Sequence, residues 1–199
     1  MDLSSPVADV VPGVRGAVLG TLARLTEART GRQIARTAGQ SPSSTARILD
    51  DLVDAGLVLR VTGGRDNGYE LNRDHVAAPA VLALATLRGE LLARLRTTIG
   101  NHRGIAAAWL FGSAARADGD RASDLDLLIV FADERQAEAI VGDLATAGRA
   151  WTGNPVQVVE HTLESFATLV AEANPLIAAL RRDGIELVDG SNRLLGRAT

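Results

Sequence analysis

Cysteine and lysine are both missing from this 199-residue chain, and only 3% of it is aromatic. Without cysteine there is no disulfide scaffold and no thiolate metal site, which fits a reducing compartment. Without lysine, any cationic contact to a phosphate has to come from arginine. With so few aromatics the core must be built from Leu, Val, Ile and Ala. Long apolar runs are also scarce. A stretch such as Val76 to Leu87 is too short for a membrane span and is interrupted by Pro79. No basic segment followed by an apolar core opens the chain, so no signal peptide is expected, and a cytoplasmic protein with no membrane partner is the default. A large excess of charge is absent too. The net charge is -3, which excludes a strongly basic protein held to nucleic acid by its overall field. What is present is ordinary for a folded protein: 46% hydrophobic and 23% charged residues. The length suits one large or two small domains.

The pattern along the chain changes character twice. Met1 to Gly13, with Pro6, Pro12 and Gly13, reads as a loose lead-in. Val14, Val18, Leu22 and Leu25 have helical spacing and predict a helix from Val14 to Thr26. A short helix is expected from Arg32 to Ala38, closed by Gly39. Ser41 as N-cap and Pro42 at the first position open a third helix, whose predicted buried stripe is Ala46, Leu49, Leu52 and Val53. Leu57 to Val61 and Tyr69 to Leu71 then read as two strands around a Gly63 to Gly68 turn. Three short helices followed by a hairpin is the layout of a winged helix-turn-helix, predicted over 10–73. An apolar helical stripe carrying Val81, Leu84, Leu87, Leu91, Leu92 and Leu95 predicts a connector helix over 74–100. The remainder, 101–190, alternates strand and helix signals, so the fold class expected is α+β with a mixed C-terminal sheet.

Chemistry concentrates in that last segment. Asp124 and Asp126 flank Leu125 at the start of a predicted strand running to Phe131. Alternation places both carboxylates on one face, with Cβ atoms roughly 7 Å apart, and sends Leu125, Leu127 and Ile129 to the other. Two hard oxygen ligands so close suit Mg²⁺ or Mn²⁺ bridging to substrate phosphates, because two like charges would repel without a cation. Upstream, a predicted strand from Ala106 to Phe111 ends at Gly112-Ser113. Glycine there lets the backbone approach a phosphate, Ser113 adds a hydroxyl, and a helix starting nearby would aim N–H groups at the anion. Arg116 reads equally as a phosphate ligand and as a solvated loop arginine.

Gly112-Ser113-Ala114-Ala115-Arg116-Ala117-Asp118, followed by Ser123-Asp124-Leu125-Asp126-Leu127-Leu128-Ile129, resembles the signature of the DNA-polymerase-β-like nucleotidyltransferases. Within that superfamily the segment is most similar to the minimal nucleotidyltransferase branch. The likeness extends to a tail of Asn174-Pro175-Leu176-Ile177 and Asp183-Gly184-Ile185-Glu186-Leu187-Val188. The resemblance implies a catalytic, metal-holding pair in Asp124 and Asp126. It also implies a nucleotide cradle in Gly112, Ser113, Arg116 and Gln157, and transfer of a nucleotidyl group, AMP from ATP or its equivalent from another nucleoside triphosphate, to a hydroxyl. It further implies, as a partner, a small helical toxin for which such proteins act as antitoxins. One position departs from the pattern. The family places a third carboxylate on a neighbouring strand, and here that segment is Val156-Gln157-Val158-Val159-Glu160. Gln157 is a neutral amide that cannot act as a base. Glu160 falls on the opposite face by alternation, and Asp118 and Asp120 sit on the loop.

The predicted winged helix offers Ser43, Ser44, Thr45 and Arg47 on the first turns of its third helix, with Arg60 and Arg65 on the hairpin. Ser43, Ser44, Arg47 and Arg65 are the candidate DNA contacts. Nine arginines balance nine acids over residues 1–75, so DNA binding stands beside a scaffold or dimer role. In outline this part resembles MarR- or ArsR-like winged helices. His75, His102 and His161 are too scattered for a zinc site. Two functions follow: a nucleotidyltransferase fused to a DNA-binding-like domain, or a winged-helix regulator, antitoxin-like and autoregulatory, whose second domain binds nucleotide with little turnover.

Overall fold

A computed structural model describes residues 1–62 and 67–196. The chain divides into two compact units, Ser5–Arg88, and Met1–Ser4 together with Gly89–Thr199. No single helix among the described residues is long and apolar enough to cross a membrane.

The first unit contains α1 (Pro6–Val10), α2 (Val14–Arg24), β1 (Arg29–Thr30), α3 (Gly31–Thr37), α4 (Pro42–Asp54), β2 (Val58–Val61), β3 (Gly68–Leu71) and α5 (Ala78–Ala85). The Ser41 hydroxyl accepts the Ser44 N–H, so the predicted N-cap forms, with Pro42 in the first turn. Thr30 and Gln33 build a capping box at the start of α3. The buried face of α4 is Thr45, Leu49 and Leu52, while Ala46 is exposed, which corrects the predicted stripe by one position. Leu49 and Leu52 pack with Val18, Leu22, Ile34 and Val58 in one core. Each fully buried side chain of this kind stabilises by roughly 1.5–3 kcal/mol. The segment expected to be a loose lead-in holds α1, pinned by Val7, only 1% exposed. β1 pairs with β3, giving sheet order β1-β3-β2.

Where one connector helix is predicted over 74–100, the structure holds α5 and then α6 (Leu87–Gly100). Thr86 separates them, and its hydroxyl and N–H both bond the Ala83 carbonyl. Such local back-bonding competes with the helical ladder.

The second unit continues with β4 (Ile105–Phe111), α7 (Gly112–Arg116), β5 (Leu125–Phe131), α8 (Ala137–Thr152), β6 (Val156–Thr162), α9 (Leu163–Ala171), α10 (Pro175–Asp183), β7 (Ile185–Glu186) and α11 (Ser191–Leu194). Its sheet order is β6-β5-β4-β7, with β5 and β6 parallel and the other pairs antiparallel. The sheet is mixed, as predicted, and covered on both faces, which is why β5 is apolar at nearly every position. Leu125, Leu127 and Ile129 join Leu91, Leu95 and Ile99 of α6 and Ile140 and Leu144 of α8. Leu128 and Val130 point the other way, to Phe166 of α9 and Ile177 and Leu180 of α10. Trp109 of β4 stacks on Phe166 with ring centroids 5.4 Å apart and donates its indole N–H to Asn192 Oδ1 at 3.0 Å.

Candidate functional site

The mouths of β4 and β5 meet because the two strands are antiparallel and pair Phe111 with Asp126. The chain leaves β4 at Gly112, which has φ +68. A Cβ placed on Gly112 would lie 2.1 Å from Asp126 Oδ2 and 3.0 Å from its Cγ. The Asp126 carboxylate therefore rests on the bare Cα of Gly112, and both the backbone angle and the lack of room demand glycine. α7 starts at this residue and is short. It ends at Ala117 in the left-handed region, with φ 57 and ψ 39, a conformation that costs an alanine about 1 kcal/mol.

A loop then returns the chain to β5. Gly119 passes so close to the hydroxyls of Ser113 and Ser123 that a Cβ would sit 2.9 Å and 3.0 Å from them. Asp120 closes the loop on itself, accepting the Ala122 N–H at 2.9 Å and the Ser123 hydroxyl at 3.0 Å. These bonds, the backbone one first, hold its carboxyl below the usual range. Asn154, only 2% exposed, donates to the Ser123 carbonyl at 2.7 Å. The Leu125 N–H reaches the Pro155 carbonyl at 2.8 Å. Together they fix Asp124 at the mouth of β5. The strand itself begins at Leu125, one residue later than predicted.

Asp124 and Asp126 stand together. Partial burial first, and the Asp124 charge second, push the Asp126 carboxyl above its ordinary value, while Arg116 opposes them. β5 and β6 pair in register, Asp126 with Gln157 and Ile129 with Glu160. Gln157 is thus level with Asp126, and its Nε2 donates to Asp124 Oδ2 at 2.5 Å. Glu160 lies three residues on in an unbroken ladder and belongs to the other face. Arg116 turns to Asp118, with Nε 2.9 Å from Oδ2, in an exposed pair. That hydrogen bond is the main cause of its raised pKa. Of the predicted residues, Gly112, Asp124, Asp126 and Gln157 are brought together, Ser113 lines the adjoining loop, and Arg116 is bonded to Asp118 while its charge still acts on Asp126. Among the described residues no three His, Cys, Asp or Glu side chains gather as a metal site. His161 Nδ1 lies 3.1 Å from Ser165 Oγ, away from the carboxylate pair. Sequence reasoning missed Asn154 and Gly119. The only signal for the first was a polar residue in the Gly153-Asn154-Pro155 turn before β6.

In the other unit, Ser43 and Arg47 are exposed on the first turns of α4 and Ser44 is half-buried. An open groove runs beside them, lined by Arg32, Pro42, Ser43, Ala46, Asn67 and Tyr69. Arg60 lies over the Tyr69 ring and pairs with Asp50 at 2.6 Å. Arg65, the fourth candidate DNA contact, lies outside the described residues.

Comparisons bear on each unit separately. Residues 94–174 match the family "Polymerase beta, Nucleotidyltransferase", and residues 11–66 match "MarR family". No curated protein matches the chain. A crystal structure of a toxin-antitoxin with AMP-PNP is 21% identical, covering 53% of this chain and 78% of that one, with a TM-score of 0.38. A MarR-family transcriptional regulator from Rhodococcus sp. RHA1 is 21% identical, covering 50% and 80%, with a TM-score of 0.31. At those scores neither likeness carries an argument about function. The two family matches, set beside the strand order and the Gly112–Asp126 geometry, make this a chain with a MarR-type winged helix followed by a nucleotidyltransferase domain of the polymerase-β family.

Proposed function

We propose that the C-terminal domain binds a nucleoside triphosphate through a divalent cation, Mg²⁺ or Mn²⁺, held by Asp124 and Asp126. It then passes the nucleotidyl group, AMP when the substrate is ATP, to a hydroxyl acceptor. The observation that carries this reading is the Asp126 carboxylate seated on Gly112 with Asp124 beside it. The residues fit a hard cation: two carboxylates offer oxygen ligands, and the burial and repulsion that raise the Asp126 pKa are what such an ion relieves. When bound, the ion supplies neutralisation of phosphate charge and a lower pKa for the acceptor hydroxyl.

The chain's own residues do the rest. Gly112 seats the Asp126 carboxylate at the strand end, and Ser113 offers a hydroxyl on the following turn. The acceptor oxygen bonds to the α-phosphorus as the α–β anhydride bond breaks and pyrophosphate departs with the electron pair, with Asp124 and Asp126 placed to hold the ion that would offset the phosphate charge. The acceptor proton leaves to solvent or to one of the two carboxylates, since Gln157 is an amide and takes none. Calorimetric titration of ATP with Mg²⁺ into the wild type and Asp124→Ala/Asp126→Ala tests the site. Binding is expected in the wild type alone, and binding unchanged in the double variant sinks the reading. Transfer of label from ATP to protein, RNA or small hydroxyl acceptors then tests turnover.

Gln157 favours a second reading, in which nucleotide is held with little turnover and the winged helix acts as a regulator on DNA. Ser43, Ser44 and Arg47 of α4, with Arg65 of the hairpin, are its proposed contacts. A homodimer and a toxin-like partner belong to this reading by resemblance. A gel shift on the DNA upstream of the gene, at modest salt and with or without nucleotide, tests it; no shift in either condition counts against it.

A further inference from the structure

We infer that Gln157 restricts the Asp124–Asp126 pair to a single divalent cation, an inference that rests on the nucleotide site proposed above. Three observations point to it. First, the β5–β6 ladder is in register throughout, so Gln157 shares a face with Asp126. Burial agrees: Val158, like Leu127, joins the core that holds α6 and α8, whereas Val159, like Leu128, joins the core that holds α9 and α10. Gln157 is therefore the β6 side chain level with the pair. Second, its amide presents a donor. Nε2 bonds Asp124 Oδ2, and an N–H aimed at a carboxylate oxygen takes a lone pair a cation would need and places positive charge where a second cation would go. Third, among the described residues the nearby carboxylates are engaged elsewhere, Asp183 among them, paired with Arg182 at 2.8 Å. Asp118 is paired with Arg116, Asp120 is bonded within its own turn, and Glu160 is on the other face of β6. Two carboxylates balance one divalent charge. Beyond carboxylate and phosphate oxygens shared with the first ion, a second ion would gain from β6 only one neutral amide oxygen, reached by rotating the amide and giving up its bond to Asp124.

The count of ions can be read without any turnover. The full chain is loaded with Mn²⁺ and α,β-methylene ATP, and its paramagnetic resonance spectrum is recorded. Two Mn²⁺ ions held about 3.5–4 Å apart couple magnetically, whereas a lone ion keeps its resolved hyperfine pattern. The wild type is expected to show the lone-ion spectrum, and Gln157→Asp, or Gln157→Glu should the first fail to fold, is expected to show the coupled one. The stoichiometry then doubles from one protein-bound Mn²⁺ per chain to two. A coupled spectrum in the wild type overturns the inference and leaves the nucleotide site standing. Lone-ion spectra in the wild type and in both carboxylate variants overturn the role given to Gln157. No protein-bound Mn²⁺ in the wild type, with or without nucleotide, overturns the nucleotide site itself and this inference with it.

Discussion

The two domains carry their candidate sites in opposite ways. At the mouth of β4 and β5 the residues are forced: a glycine on which a carboxylate rests, a second carboxylate fixed by a buried asparagine, and an amide level with both. On α4 the residues are permitted rather than forced. Ser43 and Arg47 are exposed, have room around them, and would suit any solvated helix. Sterically dictated sites tolerate almost no change, while surface sites tolerate nearly any change that keeps the helix. Function read from the first kind rests on geometry. Function read from the second rests on charge and on the family of the domain.

The largest effect should come from Gly112→Ala. The added methyl would lie 2.1 Å from Asp126 Oδ2 on a backbone at φ +68. Strain at such a φ costs about 1–3 kcal/mol by itself, and displacing the carboxylate adds to it. Nucleotide binding should be lost and the melting midpoint of the C-terminal domain should fall. A variant that binds ATP with Mg²⁺ as the wild type does would remove the contrast between the two domains, because this glycine would then be as replaceable as Ser43.

Next is Asp126→Asn. Because the folded-state pKa of Asp126 is raised, the stability this group contributes is complete below the ordinary carboxylate value and is lost as pH rises through the folded value. At neutral pH the metal-free protein carries that cost, and the amide removes it. The variant should therefore melt higher than the wild type at pH 7 without metal, and the gap should close as the pH falls toward about 4. Its affinity for Mg²⁺-nucleotide should drop by more than about 100-fold, beyond what loss of a ligand's supporting partner costs. Higher stability with lost binding is the mark of a functional carboxylate. Equal melting at pH 7 would put Asp126 with the solvated surface acids.

Much of this was legible in the sequence for a physical reason. Gly112-Ser113 and Asp124-Leu125-Asp126 are short local patterns whose meaning survives without knowing what they pack against, and strand alternation alone excluded Glu160. The capped start of α4 was equally local. What escaped depends on distant partners. β1 is two residues long and exists only because β3 pairs with it some forty positions away. Asn154 matters through a bond to Ser123 across the β5–β6 boundary. The break at Thr86 turns on one hydroxyl bonding back to Ala83 inside an uninterrupted apolar pattern. Thr45, rather than Ala46, faces inward because the stripe runs through 45, 49 and 52, and a threonine is a poor advertisement for a core position.

Thr45 supplies the smallest and most discriminating test, since α4 carries both kinds of position on one helix. Its side chain is fully buried and its hydroxyl has no hydrogen-bond partner among the described residues. Burying that group unpaired costs about 1–3 kcal/mol, and a methyl of similar size removes the cost. Thr45→Val should therefore raise the stability of the winged-helix domain by about 1 kcal/mol, read as a higher melting midpoint, and leave affinity for DNA unchanged. Arg47→Ala, two residues away on the exposed face, should leave the midpoint alone. If α4 meets phosphate, that variant should weaken binding alike across sequences and lower the salt slope by about 1. Should Thr45→Val instead alter DNA binding, the inward and outward faces of α4 would be coupled, and the winged helix would prove as tightly dictated as the strand mouths of the other domain.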